Sequence, residues 1–211
     1  MSEQATARAI IREAGTSYAA QAGFTLTDKP SQLYRLLVLS VLLSTRIKAE
    51  IAVSAARELG AFPTARRMRE ATWQQRVDAL GRGSYVRYDE STATALGNGA
   101  DLLLDKYGGD LRKLRKKAGG DVRRIKELLR EVPSLGPVSI DIFCREAQAV
   151  WPELRPYFDK KALSGAEKAG LPKDAGRLAE LVDAADYARF SAALVRLTLE
   201  KGLLEEIKAP A

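Results

Sequence analysis

Histidine is absent from this 211-residue chain, and cysteine occurs once, as Cys144. Without imidazole, no histidine-dependent serine or cysteine triad can be assembled. A single thiol excludes a disulfide framework and a cysteine-held zinc or iron–sulfur site. Chemistry therefore falls to carboxylates, lysines, hydroxyls and tyrosines. Long apolar runs are equally scarce. The longest extends from Leu36 to Leu43, far short of the roughly 20 residues a membrane span requires. The N-terminal segment carries Glu3, Arg8, Arg12 and Glu13 at helical spacing and lacks the apolar core of a signal peptide. The expected setting is cytoplasmic, with no membrane partner.

Strand signals are missing as well: no useful run alternates apolar and polar residues. Apolar residues make up 46% of the chain, enough for a proper core, and they recur at spacings of three and four between glycines. This periodicity predicts an all-α protein. Thr72 is suited to cap a helix through Leu80, with Gly81 stopping it. Leu33 to Leu43 is apolar around most of its circumference and reads as a central buried helix. Leu178, Leu181, Val182 and Ala185 form one stripe after Pro172–Lys173–Asp174. Asp186 starts a helix with Tyr187, Phe190, Leu194 and Leu197 that ends near Gly202. Between Gly81 and Gly99 the glycines, Ser84, Asp89 and Asn98 predict loops around at most one short helix.

The net charge is +7, and Leu111 to Arg130 carries all of it: Arg112, Lys113, Arg115, Lys116, Lys117, Arg123, Arg124, Lys126 and Arg130 against Asp121 and Glu127. Such concentration suggests a polyanionic partner, because binding releases the counterions of its phosphates. The other reading is a solvated basic helix surface.

That basic segment leads into Val122 to Val150. Val122, Ile125, Leu128 and Leu129 form one face of a helix; Ile140, Phe143, Ala147 and Val150 form one face of another. Val132-Pro133-Ser134-Leu135-Gly136-Pro137 between them allows only a tight reversal. Gly136 is free to adopt positive φ there, Pro137 suits the first helical turn, and Leu135 can tuck between the helices. The expected geometry points the N–H groups of Leu135, Gly136 and the next turn outward, as a nest for a phosphodiester. An ordinary αα-hairpin is the alternative.

Three segments, in order, resemble the helix-hairpin-helix (HhH-GPD) DNA glycosylase superfamily, endonuclease III-like branch. Leu42-Leu43-Ser44-Thr45-Arg46 is similar to its Leu-Leu-Ser-x-Gln signature. Val132-Pro133-Ser134-Leu135-Gly136-Pro137-Val138 is similar to its Leu-Pro-Gly-Val-Gly-x-Lys hairpin, and Phe158-Asp159 to its Val-Asp. The resemblance implies a two-lobed helical fold with a DNA-binding cleft between the lobes. Residues 30–137 would form the inner lobe, ending in the hairpin; residues 1–29 and 138–211 would form the second. It implies base-excision repair: a damaged or mispaired base in double-stranded DNA is flipped out and its N-glycosidic bond hydrolysed. The implied protein is a nucleoid-associated monomer.

The resemblance makes Asp159 the catalytic carboxylate, stabilising positive charge on the deoxyribose and orienting a water. An N-cap is the other role for Asp159. Val138 stands where bifunctional members carry the lysine that forms a Schiff base, so a monofunctional enzyme without a lyase step is expected. Lys160 and Lys161 are alternative amine nucleophiles, or exposed surface lysines. The DNA contacts implied are Ser134, Leu135, Gly136, Val138 and Ser139 at the hairpin, and Arg123, Arg124 and Lys126 on the basic helix. Arg46, in the place of the signature glutamine, would fill the gap left by the flipped base, or is a surface arginine flanking a buried helix. Tyr85, Arg87 and Tyr88 would wedge the duplex or stack on the extruded base, or the tyrosines are partly buried anchors. Asp141 reads as a surface or packing residue. No cofactor is expected, apart from a possible monovalent cation at the hairpin. The rival is a non-catalytic DNA-binding relative that recognises damaged or bent DNA.

Overall fold

The computed structural model describes residues 2–208, and every regular element among them is helical. In chain order these are α1 (Glu3–Ala14), α2 (Tyr18–Gln21), α3 (Pro30–Leu43), α4 (Ala49–Glu58), α5 (Ala65–Glu70), α6 (Trp73–Arg82), α7 (Asp89–Tyr107), α8 (Leu111–Lys117), α9 (Val122–Arg130), α10 (Pro137–Ala147), α11 (Lys160–Ala169), α12 (Ala175–Ala179), α13 (Tyr187–Leu199) and α14 (Leu203–Lys208). Single 3₁₀ turns occur at Leu59–Ala61, Pro152–Leu154 and Ala184–Asp186. The expectation of an all-α chain holds. Among the described residues no helix is long and apolar enough to cross a membrane.

The described residues cluster into two compact units: 19–143, and 2–18 together with 144–208. In the first, α3 begins with Pro30 at its first position, where the missing N–H costs nothing. Leu33, Leu36, Leu39 and Leu42 are fully buried, so the all-round apolar pattern does mark a central helix. It packs on α4 and α8. Thr72 caps α6 in a reciprocal box with Gln75, but the helix runs past Gly81 to Arg82 and stops at Gly83.

The largest departure from the sequence reading is α7. Residues 81–99 were expected to hold at most one short helix, yet α7 spans 19 residues. Its glycines serve close packing instead of turning. A Cβ on Gly97 would lie 2.8 Å from Nη2 of Arg76, and one on Gly99 would lie 3.3 Å from Cγ1 of Val132. Arg76 is buried and donates from Nη1 to the carbonyls of Met68 and Ala71, at 2.9 and 2.8 Å. It thereby satisfies carbonyls left open at the end of α5.

In the second unit α13 packs against α1, α11 and α14. Ile10, Phe190 and Leu194 are fully buried in its core. The helix α13 ends at Leu199, before Gly202. The stripe at 178–185 is only partly helical: α12 is five residues long. Gly165 sets the α11–α13 spacing, because a Cβ there would fall 1.8 Å from the Leu194 carbonyl oxygen. Arg196, also buried, donates to the Ala14 carbonyl and lies 4.5 Å over the Tyr18 ring. That contact closes α1 much as Arg76 closes α5.

Candidate functional site

The hairpin forms between α9 and α10, but its strain sits elsewhere than expected. Gly136 is absent from the positive-φ residues; Ser134 takes the left-handed conformation, at φ 65°. The Leu135 N–H is also not free, since it donates to the Val132 carbonyl at 3.1 Å. Both are corrections to the sequence reading. The tight turn closes on its own carbonyl, and the residue after Pro133 absorbs the reversal. What remains for a ligand are the N–H groups of Gly136, Val138 and Ser139, which have no acceptor among the described residues. They lie at the positive end of α10. Ile140 N–H already returns to the Gly136 carbonyl at 3.0 Å.

Several side chains hold this turn. Leu135 is buried. The Ser139 side chain is also buried, so its contribution outward is confined to its N–H. Lys126 on α9 and Asp141 on α10 meet at 2.9 Å, bracing one helix on the other. Lys106 donates to Glu131 at 2.8 Å, and this bond holds the Glu131 carboxyl below its usual range. No packing explains the glycine at 136, because a Cβ there would meet nothing within 4 Å.

Much of the basic segment is internally engaged. Arg112 pairs with Asp110 at 2.8 Å, Arg115 with Asp28 at 3.1 Å and Arg124 with Glu127 at 2.8 Å. The Arg112 bond lowers the Asp110 carboxyl, which also caps α8 through the Arg112 N–H. Lys117 lies 5.8 Å over the Tyr107 ring. Exposed and without an ion-pair partner among the described residues are Lys113, Lys116, Lys117, Arg123 and Arg130. Of the sequence candidates, Arg123 therefore has the freest charge; Arg124 and Lys126 are already partnered.

Arg46 is exposed just after α3, with no hydrogen-bond or ion-pair partner among the described residues. Thr45 beside it donates to the Leu42 carbonyl at 2.9 Å and accepts from the Tyr85 hydroxyl at 3.0 Å. Tyr85 is fully buried, so it is a packing anchor and not a wedge. Through it, the 84–88 loop is tied to the end of α3. In that loop Ser84 has φ 64°, and the Arg87 guanidinium lies 5.2 Å over the Tyr88 ring. Val86 is 66% exposed between them. Sequence reasoning passed over it, because one valine in a polar loop carries no periodic signal.

In the other unit, Asp159 caps α11. Its Oδ1 accepts from the N–H groups of Lys161 and Ala162 at 2.8 and 3.0 Å. Its Oδ2 accepts from Nη1 of Arg145 at 2.5 Å, and both side chains are 4% exposed. Phe158 packs edge-on against Phe190, with centroids 5.8 Å apart. The Gln148 amide brackets Tyr157, donating to its carbonyl at 2.8 Å and accepting from its N–H at 2.9 Å. These contacts fix Asp159 from both sides along the chain. Lys160 and Lys161 point their side chains to solvent. Arg145 was missed in the sequence. It sits in an apolar helix 14 residues before Asp159, a spacing that marks no motif.

No protein-family model matches the chain, and no curated protein sequence does. Among solved structures, the chain is similar to a trapped covalent intermediate of endonuclease III with DNA, an estranged-adenine complex. The similarity covers 92% of this chain and 85% of that one, with 13% identity and a TM-score of 0.49.

Proposed function

We propose that this chain binds double-stranded DNA through its hairpin and acts as a monofunctional DNA N-glycosylase in base-excision repair. The observation that carries the reading is the hairpin itself. Three N–H groups stand open, at Gly136 just before α10 and at Val138 and Ser139 in its first turn, and the helix leading into the turn presents Arg123 and Arg130 unpaired. Backbone donors and free guanidinium groups together suit a phosphodiester and ignore base sequence. The Leu-Leu-Ser, hairpin and Phe-Asp segments support the glycosylase assignment. Arg46 and the Val86–Tyr88 loop supply groups that would fill the space of an extruded base. At the reacting centre, the C1′–N bond breaks and the base departs with its electron pair. Water adds its oxygen to C1′ and passes a proton to the Asp159 carboxylate. Val138 offers no amine, so no Schiff base forms and the backbone stays intact.

A second reading, a non-catalytic relative that recognises damaged or bent DNA, is favoured by the Arg145–Asp159 pair. A counter-ion at 2.5 Å offsets the field with which a carboxylate would stabilise an oxocarbenium ion.

Duplexes each carrying uracil, thymine glycol, 8-oxoguanine, a ring-opened purine or an alkylated purine separate the two readings. Strand breaks that appear only after hot alkali, and vanish in Asp159→Asn, are the expected result. Tight, salt-sensitive binding with no product on any duplex would establish the non-catalytic reading instead.

A further inference from the structure

Resting on the glycosylase reading, we propose that Arg145 is the positioning residue of Asp159 and leaves that carboxylate one acceptor site, on Oδ2, for a single water. An ionised carboxylate has about four lone-pair sites. Two on Oδ1 are taken by the Lys161 and Ala162 N–H groups. One on Oδ2 is taken by Arg145 Nη1. The fourth, on Oδ2, has no partner among the described residues. With the side chain 4% exposed, the carboxylate is shielded from bulk solvent.

The arginine is placed for this task and for little else. Its Nε is buried without a hydrogen-bond partner, and among the described residues its guanidinium makes one hydrogen bond, to Asp159. A guanidinium meant solely to brace the fold would spread its donors over several carbonyls, as Arg76 does with Met68 and Ala71. Arg145 instead spends its contact on one carboxylate oxygen. Backbone donors fix the carboxylate at Oδ1 and the guanidinium fixes it at Oδ2, so the plane cannot turn about its Cβ–Cγ bond. A water held by the remaining lone pair is then oriented by two elements, the start of α11 and the last turn of α10. The proton that water gives up as its oxygen bonds to C1′ goes to that same Oδ2.

The test uses the full chain on whichever of the five lesion duplexes it processes, under single-turnover conditions, with duplex affinity and melting temperature measured in parallel. Arg145→Gln is expected to slow excision by about 100-fold while Kd stays within about twofold. Arg145→Lys, which restores a cation, is expected to recover about tenfold of that loss. Combining Arg145→Gln with Asp159→Asn is expected to be no slower than Asp159→Asn alone, because both act through one group. If Arg145→Gln melts too low to assay, Arg145→Lys carries the test, with a roughly tenfold slower rate at unchanged Kd. Wild-type rates in either variant, no rescue by lysine, or losses that multiply in the double variant would overturn the proposal and leave the glycosylase reading standing. A wild-type chain inactive on all five duplexes would overturn both.

Discussion

The Ser139 hydroxyl lies 3.2 Å from the carbonyl oxygens of both Ser134 and Gly136. One hydroxyl proton is shared between two acceptors, so a single side chain on α10 gathers the two ends of the reversal. Ser139→Ala removes the hydroxyl donor from both carbonyls and leaves that of Gly136 with the Ile140 N–H alone. We expect a loss of about 1 kcal/mol in stability and weaker duplex binding, read by denaturant melts and anisotropy. Unchanged stability would mean that water replaces the hydroxyl.

Ser134 is the strained residue of that turn, at φ 65°. A side chain in this region is disfavoured relative to glycine. Ser134→Gly should therefore stabilise the chain by about 0.5–1 kcal/mol, net of the extra entropy of an unfolded glycine. Chemical denaturation gives the sign directly; a destabilised variant would show that the hairpin takes a different conformation in solution.

Gly136 separates ligand binding from folding. Its φ is ordinary and a Cβ meets open space, so Gly136→Ala should melt within about 0.5 kcal/mol of the parent. If a phosphate approaches the backbone there, the added methyl obstructs it, and Kd for duplex DNA should rise about tenfold. Unaltered affinity would remove the hairpin backbone from the interface.

The salt dependence of binding should report which bases are free. Arg123→Ala and Arg130→Ala are each expected to lower the slope of log K against log salt by about 1. Arg124→Ala should lower it less, because its guanidinium is already engaged by Glu127 at 2.8 Å. Equal effects from all three would indicate that the Glu127 pair opens on binding.

Val138 is 59% exposed in the first turn of α10, so a longer side chain fits there without disturbing the core. Val138→Lys is expected to convert alkali-dependent breaks into spontaneous ones, and borohydride should trap a protein–DNA adduct. Failure to trap one would mean that this position does not face the sugar.

How much the sequence disclosed depended on the kind of signal. The buried α3 and the Thr72 cap were legible because apolar spacing and capping chemistry are local. The helix α7 was not legible. Gly97 and Gly99 carry the composition of a loop, and only Arg76 and Val132, far off in sequence, reveal why glycine is needed. The hairpin lies where the sequence placed it, but its left-handed residue is Ser134 and not Gly136, because residue type favoured the glycine while the turn geometry chose the serine. Arg145 was invisible for a related reason: its meaning lies in a partner on another element.

The division of the chain has a consequence for its biosynthesis. Residues 19–143 are contiguous, whereas the other unit is assembled from residues 2–18 and 144–208. Ribosomes emit chains from the N-terminus, so α1 emerges before residues 19–143 and waits for partners made after them. Its apolar residues Ala7, Ile10 and Ile11 belong to a core otherwise built from residues beyond 157. A 12-residue helix alone in water is marginal. Helix α1 is therefore made before the contiguous unit yet becomes native after it, and a chain interrupted near residue 143 would carry that unit whole with α1 orphaned and protease-sensitive.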